Sequence, residues 1–422
     1  MGVFERHQLP NGVRVVTAPV AHAQSVSCVL MFAAGSRYET KDTNGIAHFA
    51  EHMFFKGTEK RPSSRDLAGE IDAIGGEFNA FTGKEYTAYY VRCAAESRST
   101  ALDVLVDMVR RSKFDPEEID REKGVIVEEM NMYFDTPRDF VGGVYDDLLY
   151  GDQPLGWDII GTKETVRAAT RDTFLGYTDR WYKPERLVVG VGGRIDGDLI
   201  GELTELLGDL EPAPTGEPLP VQVAPSNGNA VRVHHKASDQ AHIVLGARSY
   251  PLEHPDRYVL QLLAGVLGGG MSSRLFIEVR ERRGLAYYVY GANHAYTDAG
   301  SLYAQAGVDI TRIDEAITTV VDELKKIVDE PVPSEELEKA RSFAKGRFVL
   351  QLESPHGLTL FGLRKEILEN RVVEQEEVLA ALDAVTVEDV QRVAQDVLGG
   401  GLNLALIGPF DDPSRFEKLL GV

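Results

Sequence analysis

The sequence has few cysteines, no long apolar run and a deficit of positive charge, and each of these absences excludes a class of protein. Cys28 and Cys93 are the only cysteines, and both lie in strand-like stretches, which predicts buried free thiols rather than a disulfide framework. No apolar run reaches the length of a membrane span. The formal net charge of −21 argues against nucleic acid as a partner. Solubility alone explains the acidic excess; if acidic side chains instead line a substrate cavity, they would favour basic peptides.

The amino-terminal segment also lacks signals that direct a chain to a membrane or out of the cell. It has no basic stretch followed by an apolar one, as a secretory leader requires. Arg6 stands where a myristoylation motif has Ser or Thr. We therefore expect a globular cytoplasmic protein without a membrane partner.

One stretch, residues 48–52, carries the strongest chemical signal. His48 and His52 are four positions apart, so on a helix they project from the same face, one turn from each other. That spacing suits two imidazole ligands of one Zn²⁺, and Glu51 lies beside them as a carboxylate that can take a proton from water. The pattern is H-x-x-E-H, the inverted form of a common zinc motif. Several flanking residues are apolar and predict a largely buried helix: Ile46, Phe49, Met53, Phe54 and Phe55.

A catalytic zinc usually has three protein ligands, so a third ligand should exist elsewhere in the chain. The best candidates lie on a second predicted helix, which starts at Asp115 as N-cap and Pro116 as first residue. Glu122 and Glu129 are seven positions apart and share a face of that helix, so both could point at the histidines. Glu128 is rotated away from that face by about 100°.

With these residues the sequence resembles the pitrilysin family of zinc metallopeptidases, which includes insulin-degrading enzyme and the mitochondrial processing peptidase. The match is H-x-x-E-H followed, 77 positions after its last histidine, by a glutamate in a Val-Ile-Val-Glu-Glu segment. The resemblance implies that His48, His52 and Glu129 bind one zinc ion per chain. It also implies that Glu51 is the general base toward a zinc-activated water, and that Glu122 supports the ligands from behind.

The resemblance also implies how a substrate is held. In the family, a peptide adds to an edge strand near the zinc, and the matching strand here begins at Asn79, Ala80 and Phe81. Main-chain pairing of this kind accepts many sequences, because side-chain pockets select only weakly. We therefore expect peptides or unfolded polypeptide segments as substrates.

The second half of the chain repeats the first at an offset of about 215 positions. The strand-like residues 25–30 match 240–245, and Asn79 ahead of two strands matches Asn293. A proline-rich linker at 213–229 separates a zinc-bearing domain at 1–212 from a metal-free domain at 230–422. We predict an α+β fold of two homologous domains, each a mostly antiparallel sheet with helices packed on one face.

The repeat contains its own control for the metal site. At offset 215, the positions of His48, Glu51 and His52 are occupied by apolar residues: Leu263, Val266 and Leu267. The second half therefore builds the same helix with an ordinary apolar face. Because the fold does not require the three polar residues, their presence in the first half favours a chemical role.

A glycine-rich segment at 268–290 distinguishes the second half. No Gly-Lys-Ser/Thr follows its glycines, so it is not a P-loop, and a flexible turn after a helix explains it. Arg280 and Tyr287 within it are seven positions apart and resemble the family's R-x6-Y pair, which contacts the substrate carbonyl and stabilises the oxyanion. Otherwise they read as a surface arginine and a core tyrosine.

Together these features predict a zinc metalloendopeptidase. Family members with four domains in one chain enclose the substrate, and this chain has two, so we expect a homodimer. In that dimer Arg280 and Tyr287 of one chain would complete the zinc site of the other. The alternative is a non-catalytic scaffold, or a partner subunit of the same fold, and a heterodimer with an inactive partner also remains open.

Overall fold

The computed structural model describes residues 2–222 and 229–420, so positions 223–228 of the predicted linker lie outside the described residues. The strands, in chain order, are β1 (Glu5–Gln8), β2 (Arg14–Pro19), β3 (Ser25–Phe32), β4 (Glu77–Thr82), β5 (Thr87–Ala94), β6 (Leu187–Gly193), β7 (Val231–His235), β8 (Gln240–Ser249), β9 (Ala286–Ala295), β10 (Gly300–Asp309) and β11 (Asn403–Gly408). No helix within these residues is both long and apolar enough to cross a bilayer.

The α-helices, in chain order, are α1 (Ile46–Phe54), α2 (Ser64–Ala73), α3 (Arg98–Arg111), α4 (Pro116–Asp135), α5 (Pro137–Tyr150), α6 (Lys163–Ala168), α7 (Arg171–Trp181), α8 (Leu199–Leu207), α9 (Arg257–Gly268), α10 (Ile313–Asp329), α11 (Ser334–Leu352), α12 (Pro355–Glu369), α13 (Gln375–Asp383), α14 (Val387–Leu398) and α15 (Ser414–Glu417). A π-helical segment, Phe276–Arg282, lies between α9 and β9.

The chain forms two compact units, and neither is continuous in sequence. Unit 1 consists of Met1–Met130, Asp158–Leu219 and Val349–Glu374. Unit 2 consists of Asn131–Trp157, Pro220–Phe348 and Gln375–Val422. The first half of the sequence therefore contributes α5 to unit 2, and the second half contributes α12 to unit 1.

Unit 1 is built on a six-stranded sheet of order β1-β2-β6-β3-β5-β4. β2 and β6 are parallel, and the other neighbours are antiparallel. β6 is central and every residue in it is buried, because both faces of the sheet are covered. β4 is an edge strand, so part of its backbone hydrogen-bonding capacity is not used by the sheet.

Helices cover both faces of the unit 1 sheet. α1 and α3 pack on one face, against β4, β5 and β3. α12 packs on the other face, over β6, β3 and β2, and places Leu363 in a buried cluster with Val16, Val29 and Met31. Glycines in β6 allow this close approach, since a Cβ on Gly190 would lie 2.5 Å from Leu363 Cδ1.

Unit 2 repeats the plan with a five-stranded sheet of order β7-β11-β8-β10-β9. β7 and β11 are parallel, and the other neighbours are antiparallel. α9 packs against β9, while α5 packs on β8 and β11 and contributes Val141, Tyr145 and Leu149 to a buried cluster with Val244 and Ile407. The unit 2 sheet is thus covered by α5 from the first half of the chain. In the same way, the unit 1 sheet is covered by α12 from the second half.

The predicted α+β fold of two repeated, mostly antiparallel sheets is confirmed. Helices also pack on the second face of the unit 1 sheet, which the prediction of helices on one face did not include. The compact units differ from the predicted contiguous domains at 1–212 and 230–422 by the exchange of 131–157 and 349–374. Cys28 and Cys93 are buried free thiols as predicted, and burial raises the pKa of Cys93 to about 11.

Candidate metal centre

Helix α1 holds the H-x-x-E-H residues in a fixed orientation because its other face is firmly packed. Phe49 and Phe54 are 1% exposed, and their rings meet those of Phe174 and Tyr89 edge-on at 4.8 and 5.2 Å. The helix ends at Phe54 with Phe55 as its C-cap, and Gly57 then takes a φ of 120°, which favours glycine. His48 and His52 therefore project together from the less buried face.

The structure brings His48, His52 and Glu129 into one cluster within unit 1. Their ligand atoms all lie within 4.8 Å of one another. His48 Nε2 is 3.6 Å from Glu129 Oε1, and His52 Nε2 is 3.5 Å from Glu129 Oε2. Within residues 2–222 and 229–420, no other group of three or more His, Cys, Asp or Glu side chains is arranged in this way.

Two observations show that the cluster fits a metal ion. Burial, and then the neighbouring His52 ring, lower the pKa of His48 to about 3, so its imidazole is neutral and can donate a lone pair. Two imidazole nitrogens and one carboxylate oxygen form a ligand set typical of catalytic zinc. In the described residues His48 Nδ1 is buried without a hydrogen-bond partner, so this ring, unlike that of His52, has no carboxylate behind it.

Glu122 and Lys56 support His52 from the side opposite the cluster. Glu122 is 5% exposed, and its Oε1 lies 2.9 Å from His52 Nδ1, while its Oε2 lies 2.5 Å from Lys56 Nζ. Burial alone would raise the pKa of Glu122, but the hydrogen bonds from His52 and Lys56 bring it below its usual value. The ionised Glu122 therefore fixes the His52 tautomer that carries its proton on Nδ1 and directs Nε2 at Glu129.

Helix α4 presents Glu122 and Glu129 on the predicted shared face. Its start is the predicted one, since Asp115 Oδ1 accepts a hydrogen bond of 2.9 Å from the Glu117 N–H. Glu128 is exposed and lies outside the cluster. The geometry therefore selects Glu129, and not Glu128, as the third candidate ligand.

Glu51 is held by a residue of the neighbouring edge strand. Thr82 Oγ1, at the end of β4, donates a hydrogen bond of 2.5 Å to Glu51 Oε2. Burial raises the pKa of Glu51, whereas the Thr82 hydrogen bond and His52 lower it, and Glu129 raises it. A carboxyl group with a raised pKa is suited to both accept and donate a proton near neutral pH.

The predicted substrate strand is the edge strand β4. Ala80 pairs with Tyr89 of β5 and alternates in direction with Asn79 and Phe81, so these three side chains cannot share a face. Phe81 faces the α12 side, where it packs with Tyr86. Asn79 is exposed, and its Oδ1 accepts a hydrogen bond of 2.8 Å from the Ala80 N–H. A peptide that added to this edge would have to replace that local bond.

The structure also brings Arg280 and Tyr287 together, and both belong to unit 2. Arg280 lies in the π-helical segment, with its guanidinium 5.6 Å from the centre of the Tyr287 ring and 4.9 Å from that of Phe276. Tyr287 is 75% exposed, so the reading as a core tyrosine is wrong. Irregular π-helical turns are frequent at functional sites, because they present side chains that a regular helix would turn away.

Three polar residues around α1 were not found from the sequence. Thr82 and Lys56 reach Glu51 and Glu122 across gaps of 31 and 66 positions. Glu39 accepts hydrogen bonds from backbone N–H groups at the start of α1. Local sequence patterns do not encode such contacts, because they depend on which distant segments pack together.

A two-unit α+β protein in which an H-x-x-E-H helix meets a glutamate of a second helix has the architecture of the inverzincin metallopeptidases. Residues 14–163 match the family described as insulinase (peptidase family M16). Residues 168–343 match the description peptidase M16 inactive domain. The chain belongs to the peptidase M16 family.

Relatives and solved structures agree with this assignment. The chain is 37% identical to an uncharacterized zinc protease of Bacillus subtilis over 96% of its length and 98% of that protein. It is 35% identical to an uncharacterized zinc protease of Streptomyces coelicolor, over 98% of this chain and 91% of that protein. A crystal structure of a protease from Helicobacter pylori shares the fold with a TM-score of 0.89 at 21% identity, over 97% of this chain and 100% of that chain.

Proposed function

We propose that the chain is a zinc metalloendopeptidase whose reaction centre lies in unit 1. One observation carries the proposal: His48, His52 and Glu129 converge within 4.8 Å, and Glu51 is held beside them by Thr82. The names of the relatives as zinc proteases support the same reading.

Each residue of the centre has a distinct task in this proposal. His48, His52 and Glu129 would hold zinc, which supplies a Lewis acid and lowers the pKa of a bound water. Because Thr82 holds Oε2 of Glu51, Oε1 is the oxygen that would accept a proton from the attacking water and pass it to the leaving amine. Glu122 orients His52 and is a positioning residue.

Purified protein can test this assignment directly. Metal content should be about one zinc per chain, and a library of quenched fluorescent peptides should be cleaved. Glu51→Gln should retain zinc and lose turnover by about two orders of magnitude or more, because the amide cannot accept the proton. Glu128→Gln is the matched control, since that side chain lies outside the cluster. Absence of zinc from the wild-type protein would contradict the catalytic proposal.

The competing proposal is a non-catalytic scaffold of the same fold. Residues 168–343 match a family described as inactive, which favours a role without metal for those residues. The match does not extend to the residues of the metal centre. Zinc that remains bound while no peptide is cleaved would favour the scaffold, or a partner chain that is needed for activity.

Extended peptides are the proposed substrates. β4 is the edge of its sheet and leads directly to Thr82 and Glu51, so a peptide paired with it runs toward the reaction centre. If acidic side chains that contribute to the net charge of −21 line the substrate cavity, basic peptides are favoured over acidic ones. A comparison of kcat/KM for matched basic and acidic peptides at low and high salt tests this preference.

The proposed active assembly is a homodimer in which Arg280 and Tyr287 of one chain complete the zinc site of the other. The pairing of the two side chains and the exposure of Tyr287 support a role in binding a group outside unit 2. Mixing an Arg280→Ala chain with a Glu51→Gln chain should restore part of the activity that each lacks. Failure of such mixtures to regain activity, with dimers present, would contradict the exchange of residues.

A further inference from the structure

Helix α1 does not cap its own amino-terminal end. Its N-cap residue is Gly45, which has no side chain, and it adopts a φ of 94°. Glu39, six positions earlier, supplies the missing acceptors. Its Oε2 accepts from the Gly45 N–H at 2.8 Å, and its Oε1 accepts from the Ala47 N–H at 2.7 Å. Both carboxylate oxygens are therefore committed to the first turn of the helix.

A short network fixes the Glu39 carboxylate itself. Glu39 is 5% exposed and accepts a third hydrogen bond, of 2.9 Å, from Asn44 Nδ2. Asn44 in turn donates to the Asp158 carbonyl at 3.1 Å and accepts from Thr165 Oγ1 at 2.6 Å. Burial raises the pKa of Glu39 to about 8, and the three N–H donors act in the opposite direction. A dication bound near the first turn would also favour the ionised form.

The position of His48 connects this cap with the metal centre. His48 is the third residue of α1 and follows Ala47, whose N–H is bonded to Glu39. A shift of the first turn would therefore displace His48 before it displaces His52. The positive end of the helix dipole also opposes a cation at the first turn, and a carboxylate there offsets it.

The second half of the chain provides a comparison without metal. The residue 215 positions after Glu39 is His254, and its Nδ1 accepts one bond of 3.1 Å from the Asp256 N–H at the start of α9. α9 presents Leu263 and Leu267 where α1 has its histidines. The position that matches Glu39 in the metal-free half thus holds no carboxylate.

We propose that Glu39 is a positioning residue of the metal centre, which fixes the first turn of α1 and thereby aligns His48 with His52 and Glu129. This inference rests on the proposed function only in its assignment of the three metal ligands. Glu39 touches none of them, and its effect passes through the backbone of Gly45 and Ala47.

The test measures zinc affinity of the full-length chain by competition with a chromogenic chelator at pH 8.5, above the pKa of Glu39. Glu39→Gln should weaken zinc binding by about tenfold or more, the size typical of residues that support metal ligands. Glu39→Asp keeps the charge and should lose less affinity. Because the readout is zinc binding, it does not depend on peptide hydrolysis.

Glu366→Gln is the matched control. Glu366 is also a fully buried carboxylate of unit 1, where it pairs with Arg14 at 3.0 Å, but it lies on α12 and not at the metal helix. This variant should lower the melting temperature while leaving zinc affinity within about twofold, since distant sites act independently. Equal zinc affinities of Glu39→Gln and Glu366→Gln would overturn the inference.

Two further outcomes are separable. If wild-type protein binds no zinc, or His48→Ala binds it unchanged, the proposed function fails and the inference fails with it.

If Glu39→Gln does not fold, Asn44→Ala takes its place, because this change removes a hydrogen-bond donor to Glu39 and the hydrogen bond to the Asp158 carbonyl. Asn44→Ala should then bind zinc more weakly than Glu366→Gln, and equal affinities would again overturn the inference.

Discussion

The hydrogen bond between Thr82 and Glu51 joins the edge strand to the proposed general base. Thr82 is the last residue of β4, so the group that tunes Glu51 belongs to the strand on which a peptide is proposed to lie. A substrate that orders β4 would therefore also order the base. The coupling requires no movement of α1.

Replacement of Thr82 by valine should shift the pH dependence of cleavage. The hydroxyl lowers the pKa of Glu51, so its loss leaves burial to raise that pKa further. Because the base acts when ionised, the fall of kcat/KM on the acidic side should begin at a higher pH. Thr82→Ser, which keeps the hydroxyl, should restore the wild-type profile. Identical profiles for wild type and Thr82→Val would contradict a role for the bond.

Residues of the site differed in how far the sequence could predict them. His48, Glu51, His52 and Glu122 lie on helices whose period relates sequence spacing to direction, so a shared face could be inferred. Thr82, Lys56 and Glu39 act through contacts set by the tertiary fold, and no local pattern predicts them. The directions of Asn79 and Phe81 became clear only from the register of β4 with β5.

At the scale of elements, α12 lies so close to β6 that positions 190 and 192 of the strand cannot carry a side chain. A Cβ on Gly190 would lie 2.5 Å from Leu363 Cδ1 and 2.7 Å from Thr359 Cγ2. A Cβ on Gly192 would clash with Thr359 Oγ1. The glycines of β6 thus determine where the helix packs.

Gly190→Ala should lower the free energy of unfolding by about 1–3 kcal/mol, because Leu363 and the helix must shift to admit the methyl group. Gly124→Ala is the control: it lies in α4, and nothing is within 4 Å of its added Cβ. That change should stabilise the protein by up to about 1 kcal/mol through helix propensity. Denaturant unfolding of the three proteins measures both effects, and equal stability of Gly190→Ala and wild type would contradict the packing argument.

Elements with strong local signals were predicted, and their distant partners were not. The start of α4 followed from Asp115 and Pro116, which provide a cap and a suitable first residue. The apolar run of β6 is typical of a buried strand. The helix that covers it starts at Pro355, and nothing in the local sequence relates the two segments.

At the scale of the whole molecule, the exchange of α5 and α12 makes the halves of the sequence dependent on each other. Without α12, the side chains of Val16, Val29 and Met31 would lose the cover that buries them in unit 1. Unit 2 would likewise lose Val141, Tyr145 and Leu149 if α5 were absent. The predicted repeat was correct. A sequence repeat, however, shows only that the two halves are similar, and it does not reveal that each half contributes a helix to the unit of the other.

A fragment of residues 1–212 should therefore fail to form a stable native state. The uncovered sheet face should bind a hydrophobic dye, and the fragment should lack a cooperative thermal transition. Joining residues 349–374 to the fragment through a flexible linker should restore the transition, because it supplies α12. Cooperative unfolding of the fragment alone, at the wild-type temperature, would contradict the dependence.

The same exchange has a consequence for synthesis on the ribosome. Gly193, at the end of β6, precedes Pro355, at the start of α12, by 162 positions. At about 5–20 residues per second, the first sheet is complete for roughly 8–30 s before its covering helix is made. During that interval the nascent chain exposes an apolar sheet face, so its yield in the cell should depend on chaperones that shield such surfaces until translation is almost finished.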